Sequence, residues 1–167
     1  MSASNNPSPI STVTLRDVIP SDLSIFFDQQ QDPEANYMAA FTSRDPSDRD
    51  AFDIHWTKIM SDDTIVNKTI LYNGQVAGSI AKFILFGQPE IGYWIGKEFW
   101  GKGIATQALE AFLKIITERP IFAAAAKDNL GSLRVLQKCG FVITGYEKAF
   151  STARNHEIEE ALLELKT

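Results

Sequence analysis

The chain has 167 residues, 44% of them apolar and 22% charged, with a formal net charge of −5. That length and balance describe one ordinary globular domain with enough apolar material for a single sizeable core. The acidic balance and the lack of a Lys/Arg cluster argue against a nucleic-acid-binding face, and no run of about 20 apolar residues offers a membrane span.

Residues 1–9 are rich in Ser, Asn and Pro and lack the apolar stretch of a signal peptide. Residues 1–11 therefore read as a flexible lead-in and 12–167 as the domain. Residues 12–18 suit a first strand, with Val13 and Leu15 pointing one way. Pro20-Ser21-Asp22-Leu23 then starts a helix capped by Ser21 or Asp22, with Leu23, Phe26 and Phe27 as its apolar face. Asp32-Pro33 opens a short helix. Phe52, Ile54, His55, Ile59 and Met60 recur at helical spacing before Ser61-Asp62-Asp63 ends the pattern. The period then changes. Residues 64–72 and 76–86 flank Asn73-Gly74, a strong hairpin signal, and residues 90–95 form a third strand of the meander.

A long helix is expected over about residues 103–118, with Ala105, Leu109, Phe112 and Ile116 on one face and Arg119-Pro120 as its stop. Residues 121–126 read as a buried strand. Asp128 or Asn129 caps the next helix, which ends at Gly140. Residues 141–149 and 157–165 close the chain as a hairpin joined through 151–156. The order β-α-α-β-β-β-α-β-α-β-β predicts one α/β (α+β) domain with a mixed, mostly antiparallel sheet of about seven strands and about four helices, not a doubly wound fold. The single cysteine, Cys139, permits no internal disulfide and suits a reducing, cytoplasmic compartment; it reads as a small buried hydrophobe. His55 and His156 have no ligand-spaced companions, so no metal is expected.

The most informative stretch is the passage from strand to helix at Tyr93-Trp94-Ile95-Gly96-Lys97-Glu98-Phe99-Trp100-Gly101-Lys102-Gly103-Ile104-Ala105-Thr106. The first N–H groups of a helix lack intrahelical partners, and the helix dipole adds positive potential there. Gly101 and Gly103 let a phosphate approach the backbone closely. A dinucleotide fingerprint would need glycine where Thr106 stands. A P-loop would need Ser or Thr where Gly103 stands. Glycines that only turn the chain are the third option.

Trp100-Gly101-Lys102-Gly103-Ile104-Ala105 resembles the acyl-CoA pyrophosphate loop of the GNAT acetyltransferase superfamily, [RQ]-x-x-G-x-[GA], with Trp100 in place of Arg or Gln as in the branch of ribosomal-protein N-terminal acetyltransferases. The segment from Asn129 through Ser132 and Leu136 to Gly140-Phe141 resembles the family's N-x-x-[SA]-x-x-x-[YL]-x-x-x-G-F, at the family's separation from the loop. The element order agrees over residues 12–165.

The resemblance implies an acetyl-CoA-dependent N-acetyltransferase acting on a primary amine, a protein N-terminus or a small molecule, by direct attack in a ternary complex. It implies that Tyr93, Trp94 and Ile95 line the pantetheine arm along a splayed strand. Gly101, Lys102, Gly103, Ile104, Ala105 and Thr106 would hold the pyrophosphate, with Asn129 and Ser132 near the thiol path and Lys97 adding charge. Glu90, on the strand leading to the loop, is the implied base. Ser132 is the implied partner of the leaving thiolate, because Leu136 stands where many members carry Tyr; Tyr93 and Tyr146 are weaker substitutes. A non-catalytic acyl-CoA-binding module of the same fold is the alternative. The acceptor pocket would form from about residues 20–60 and 151–156. There Phe26, Phe27, Tyr37, Phe41, Phe52, His55 and Trp56 make either an aromatic lid or core. The acceptor's identity and the oligomeric state, a homodimer among the options, stay open.

Overall fold

The computed structural model describes residues 12–167, and the expected lead-in at 1–11 lies outside the described residues. Strand β1 (Val13–Asp17) is followed by α1 (Asp22–Gln29), α2 (Pro33–Ala39) and α3 (Arg49–Ser61). The meander is β2 (Val66–Tyr72), β3 (Gln75–Leu85) and β4 (Gln88–Ile95). Then come a 3-10 turn (Lys97–Phe99), α4 (Ile104–Ile115), β5 (Ile121–Ala126), α5 (Leu130–Lys138), β6 (Val142–Ser151) and β7 (His156–Leu165). All seven strands form one sheet in the order β1-β2-β3-β4-β5-β7-β6. Asn73 and Gly74 both take positive φ, +50° and +82°, the requirement of the tight β2–β3 turn.

Every strand pair is antiparallel except β4 with β5, which run parallel and meet at a single register position, Glu90 opposite Phe122. Beyond it the two strands diverge. Strand alternation sends Ile91 and Ile95 into the core shared with Leu109 and Phe112 of α4 and Leu133 and Leu136 of α5. A smaller cluster of Val18, Phe26 and Phe52 seats α1 and α3. Asp22 fixes the start of α1: it is 2% exposed and accepts from both Arg16 guanidinium nitrogens (2.7 and 2.9 Å), the Ile19 N–H (3.0 Å) and the Thr69 hydroxyl (2.6 Å). Burial alone would raise the Asp22 pKa, but these partners outweigh it and hold it below the usual carboxylate range.

Four expectations need correction. There are five α-helices rather than about four, because three precede β2 instead of two. Residues 49–61 do form a helix, but only Phe52 is buried: Ile54 lies about 200° around the helix from it and, like Met60, faces solvent. The long helix stops at Ile115, because Ile116 turns to an extended conformation that keeps its side chain in the core. Cys139 is half-buried rather than fully buried.

Candidate active site

The loop after β4 is built around two left-handed glycines, Gly101 at φ +77° and Gly103 at φ +74°. A Cβ on Gly101 would meet nothing within 4 Å, so its requirement is conformational rather than steric. The Trp100 indole N–H donates to the Ile95 carbonyl (2.9 Å) and clamps the loop over the strand end. Gly103 occupies the N-cap of α4 without a side-chain cap, and no acidic residue stands in the first turn. The helix end is thus polarised toward an anion.

Where β4 and β5 part, a cleft of about 670 Å³ opens between β4, the loop, α2 and α5. Tyr93, Trp94, Ile95, Gly101, Gly103, Ile104, Ala105, Thr106, Asn129 and Ser132 all line it. The Ile104 side chain is in the core, so only its backbone can serve a ligand. Lys102 and Glu90 are not among the lining residues. Lys97 is engaged elsewhere, with Glu34 at 2.7 Å and Asp32 at 3.5 Å. Arg134 and Lys138 do line the cleft, i and i+4 on α5, and were not expected; that helical spacing is the only sequence signal they carry.

Two hydroxyls meet inside the cleft: Tyr93 Oη lies 3.0 Å from Ser132 Oγ. Burial raises the Tyr93 pKa above the usual phenol value despite the Ser132 hydrogen bond, so the group is a neutral donor at ordinary pH. Leu136 is 2% exposed in the core and takes no part. Asn129 caps α5, accepting from the Ser132 N–H (3.3 Å), and donates from Nδ2 to the Met38 carbonyl (3.2 Å). It therefore holds α2 against α5.

Glu90 is separated from this pair. It sits three residues before Tyr93, so alternation puts the two on opposite faces of the sheet. Burial, then the charge of Glu147, raises the Glu90 pKa. Glu160 is raised by burial, then by Glu147 and Glu90. Glu147 and Glu160 face each other across β6–β7, so Glu90 belongs to a group of three carboxylates.

A second cleft of about 350 Å³ lies under α1, α2 and α3 and shares Ala39, Tyr93 and Trp94 with the first. Phe26, Phe41, Phe52, His55 and Trp56 line it; Phe27 and Tyr37 do not. The β6–β7 turn is sewn to its rim. Arg154 pairs with both Asp128 oxygens (2.8 and 2.9 Å), donates to the Tyr37 carbonyl (2.9 Å) and stacks on the Tyr37 ring at 4.2 Å. The Ser151 hydroxyl donates to the Ala40 carbonyl (2.7 Å). Among the described residues, no cluster of three or more His, Cys, Asp or Glu could hold a metal ion, and no helix is long and apolar enough to cross a membrane.

The family model of the acetyltransferase (GNAT) domain matches residues 12–142. A Bacillus subtilis (strain 168) protein named "Putative ribosomal N-acetyltransferase YdaF" is 33% identical over 97 residues, 54% of this chain and 53% of that protein. The match thus spans about half the length of that curated relative. The fold is shared with spermidine N-acetyltransferase from Vibrio cholerae in complex with CoA and spermine (TM-score 0.77, 17% identity, 92% of this chain and 95% of that one). It is shared equally with Mycobacterium smegmatis RimJ in complex with CoA-disulfide (TM-score 0.77, 20% identity, 93% and 82%).

Proposed function

The chain belongs to the GNAT acetyltransferase family, and on that premise we propose that it transfers an acetyl group from acetyl-CoA to a primary amine by direct attack in a ternary complex. The observation that carries this reading is the cleft itself. A strand parts from its parallel neighbour beside a polarised helix N-terminus, and a neutral hydroxyl pair lies between. Acetyl-CoA, when bound, supplies an activated acyl carbon on a good thiolate leaving group.

The chain's own residues do the rest. Backbone N–H groups over residues 101–106 receive the pyrophosphate, and Arg134 and Lys138 add positive charge from α5. Tyr93, Trp94 and Ile95 present the freed edge of β4, where a main-chain N–H can polarise a carbonyl. The Ser132 hydroxyl, with the Tyr93 phenol behind it, holds a proton for the leaving sulfur. Glu90 accepts a proton from the acceptor ammonium through water from the other face, which frees the neutral amine to attack the thioester carbon, and its raised pKa makes it a better base than an exposed carboxylate.

Free thiol, followed with acetyl-CoA and a panel of primary amines, tests the proposal. Thiol release that requires both the protein and an amine supports it. Tight CoA binding without release on any amine points instead to the acyl-CoA-binding module, the reading that the buried Leu136 favours.

A further inference from the structure

No Asp, Glu, Lys or Arg lines the second cleft; His55 is its one basic side chain, and six Phe, Trp and Tyr rings stand with it: Phe26, Phe41, Phe52, Trp56, Tyr93 and Trp94. Among the described residues, four buried side-chain polar atoms lack a hydrogen-bond partner. Three of them, Gln29 Oε1, Thr42 Oγ1 and Trp94 Nε1, belong to residues in the wall of this cleft. Gln29 is only 8% exposed, so its free oxygen has little access to bulk water. These atoms are closed off inside the wall, so the surface the cleft offers a ligand is set by its rings. Tyr93 and Trp94 line both this cleft and the one that would hold the thioester.

We propose that this cleft receives the acceptor, and that the acceptor is an amine with one ammonium group and an uncharged, ring-bearing body, rather than a polyamine. The inference rests on the acetyltransferase reading above and names its substrate class. A polyamine would bring further ammonium groups into a wall without carboxylates, where burial of an unpaired charge is strongly unfavourable. The one carboxylate lining the first cleft, Glu34, is already engaged by Lys97 at 2.7 Å. Glu90, Glu147 and Glu160 line neither cleft. The rings offer face and edge contacts to an aromatic or apolar body.

The test is calorimetric titration of the full chain, with and without saturating CoA, using phenylalaninamide, 2-phenylethylamine and spermidine. Phenylalaninamide and 2-phenylethylamine are each expected to bind about tenfold tighter than spermidine. Phe41→Ala should weaken phenylalaninamide about fivefold and leave CoA unchanged, since Phe41 lines only the second cleft. Where that variant fails to fold, the exposed His55→Ala takes its place with the same expectation. Ser43→Asp, which adds the missing carboxylate at the rim, should shift preference toward spermidine. Spermidine binding as tightly as phenylalaninamide, or cleft variants without effect on it, overturns the inference. If CoA binds and thiol release is fastest with spermidine, this inference fails and the acetyltransferase reading stands. If the amines bind in the expected order but no thiol is released, the acetyltransferase reading is the one that fails.

Discussion

Replacing Gly103 by Glu separates folding from cofactor binding. Gly103 has φ +74°, and a non-glycine residue in the left-handed region costs about 1–2 kcal/mol. A new Cβ would find Gln107 Nε2 at 3.9 Å as its nearest neighbour, an ordinary contact, so strain is the main cost to the fold. For a chain of this size that corresponds to a fall in Tm of about 2–8 °C, short of unfolding at room temperature. The effect on CoA is larger. Two unit charges about 4 Å apart repel by about 4 kcal/mol at an effective dielectric of about 20. Half of that, allowing for solvent at the open loop, weakens binding about thirtyfold. Gly103→Ala brings the strain without the charge and should weaken CoA less. Calorimetric titration with CoA, paired with thermal melts of both variants, gives the two numbers separately. A folded Gly103→Glu variant that binds CoA as tightly as the parent chain would refute the assignment of the loop.

Tyr93→Phe removes the phenol from the hydroxyl pair and should lower kcat about tenfold while CoA affinity holds; steady-state kinetics with a direct CoA titration checks both. Glu147→Gln removes a like charge from beside Glu90, so the Glu90 pKa falls and the acidic limb of the activity–pH profile should move to lower pH; Glu90→Gln should abolish that limb. Asp22→Asn breaks the pair with Arg16. Arg16 is 35% exposed, so water recovers part of the loss, and about 2–3 kcal/mol is expected in denaturant melts, below the full value for a buried pair. Because the folded pKa of Asp22 is lowered, its stabilisation is complete above the ordinary carboxylate range and is lost as pH falls through the lowered value. The variant should therefore lose less stability on acidification than the parent.

Local chemistry was legible and long-range chemistry was not. Asn73-Gly74 announces its hairpin because a two-residue turn with positive φ leaves few other choices. Gly101 and Gly103 announce the left-handed loop for the same reason: strand, turn and helix start are contiguous in the chain. The Tyr93–Ser132 contact joins residues 39 apart, and no period or spacing encodes it. Arg154 reads as a loop arginine in a short turn, yet the fold brings it against Asp128 and Tyr37, because β7 inserts between β5 and β6 and carries the β6–β7 turn to the rim of the clefts. Lys97 stands beside the loop in sequence and suggests added charge there, but α2 supplies Glu34 and Asp32 to it from the other side. The helical spacing over residues 49–61 was real while its burial was not, since amphipathic spacing does not say how deep a helix sits.

A crystal structure of the full chain with CoA tests the cleft assignment most directly. The predicted result places the pyrophosphate oxygens within hydrogen-bond distance of main-chain N–H groups over residues 101–106. The pantetheine arm should lie along residues 93–95, with its sulfur beside the hydroxyls of Tyr93 and Ser132. CoA seated elsewhere, or a pantetheine arm that leaves the freed edge of β4 untouched, would contradict it.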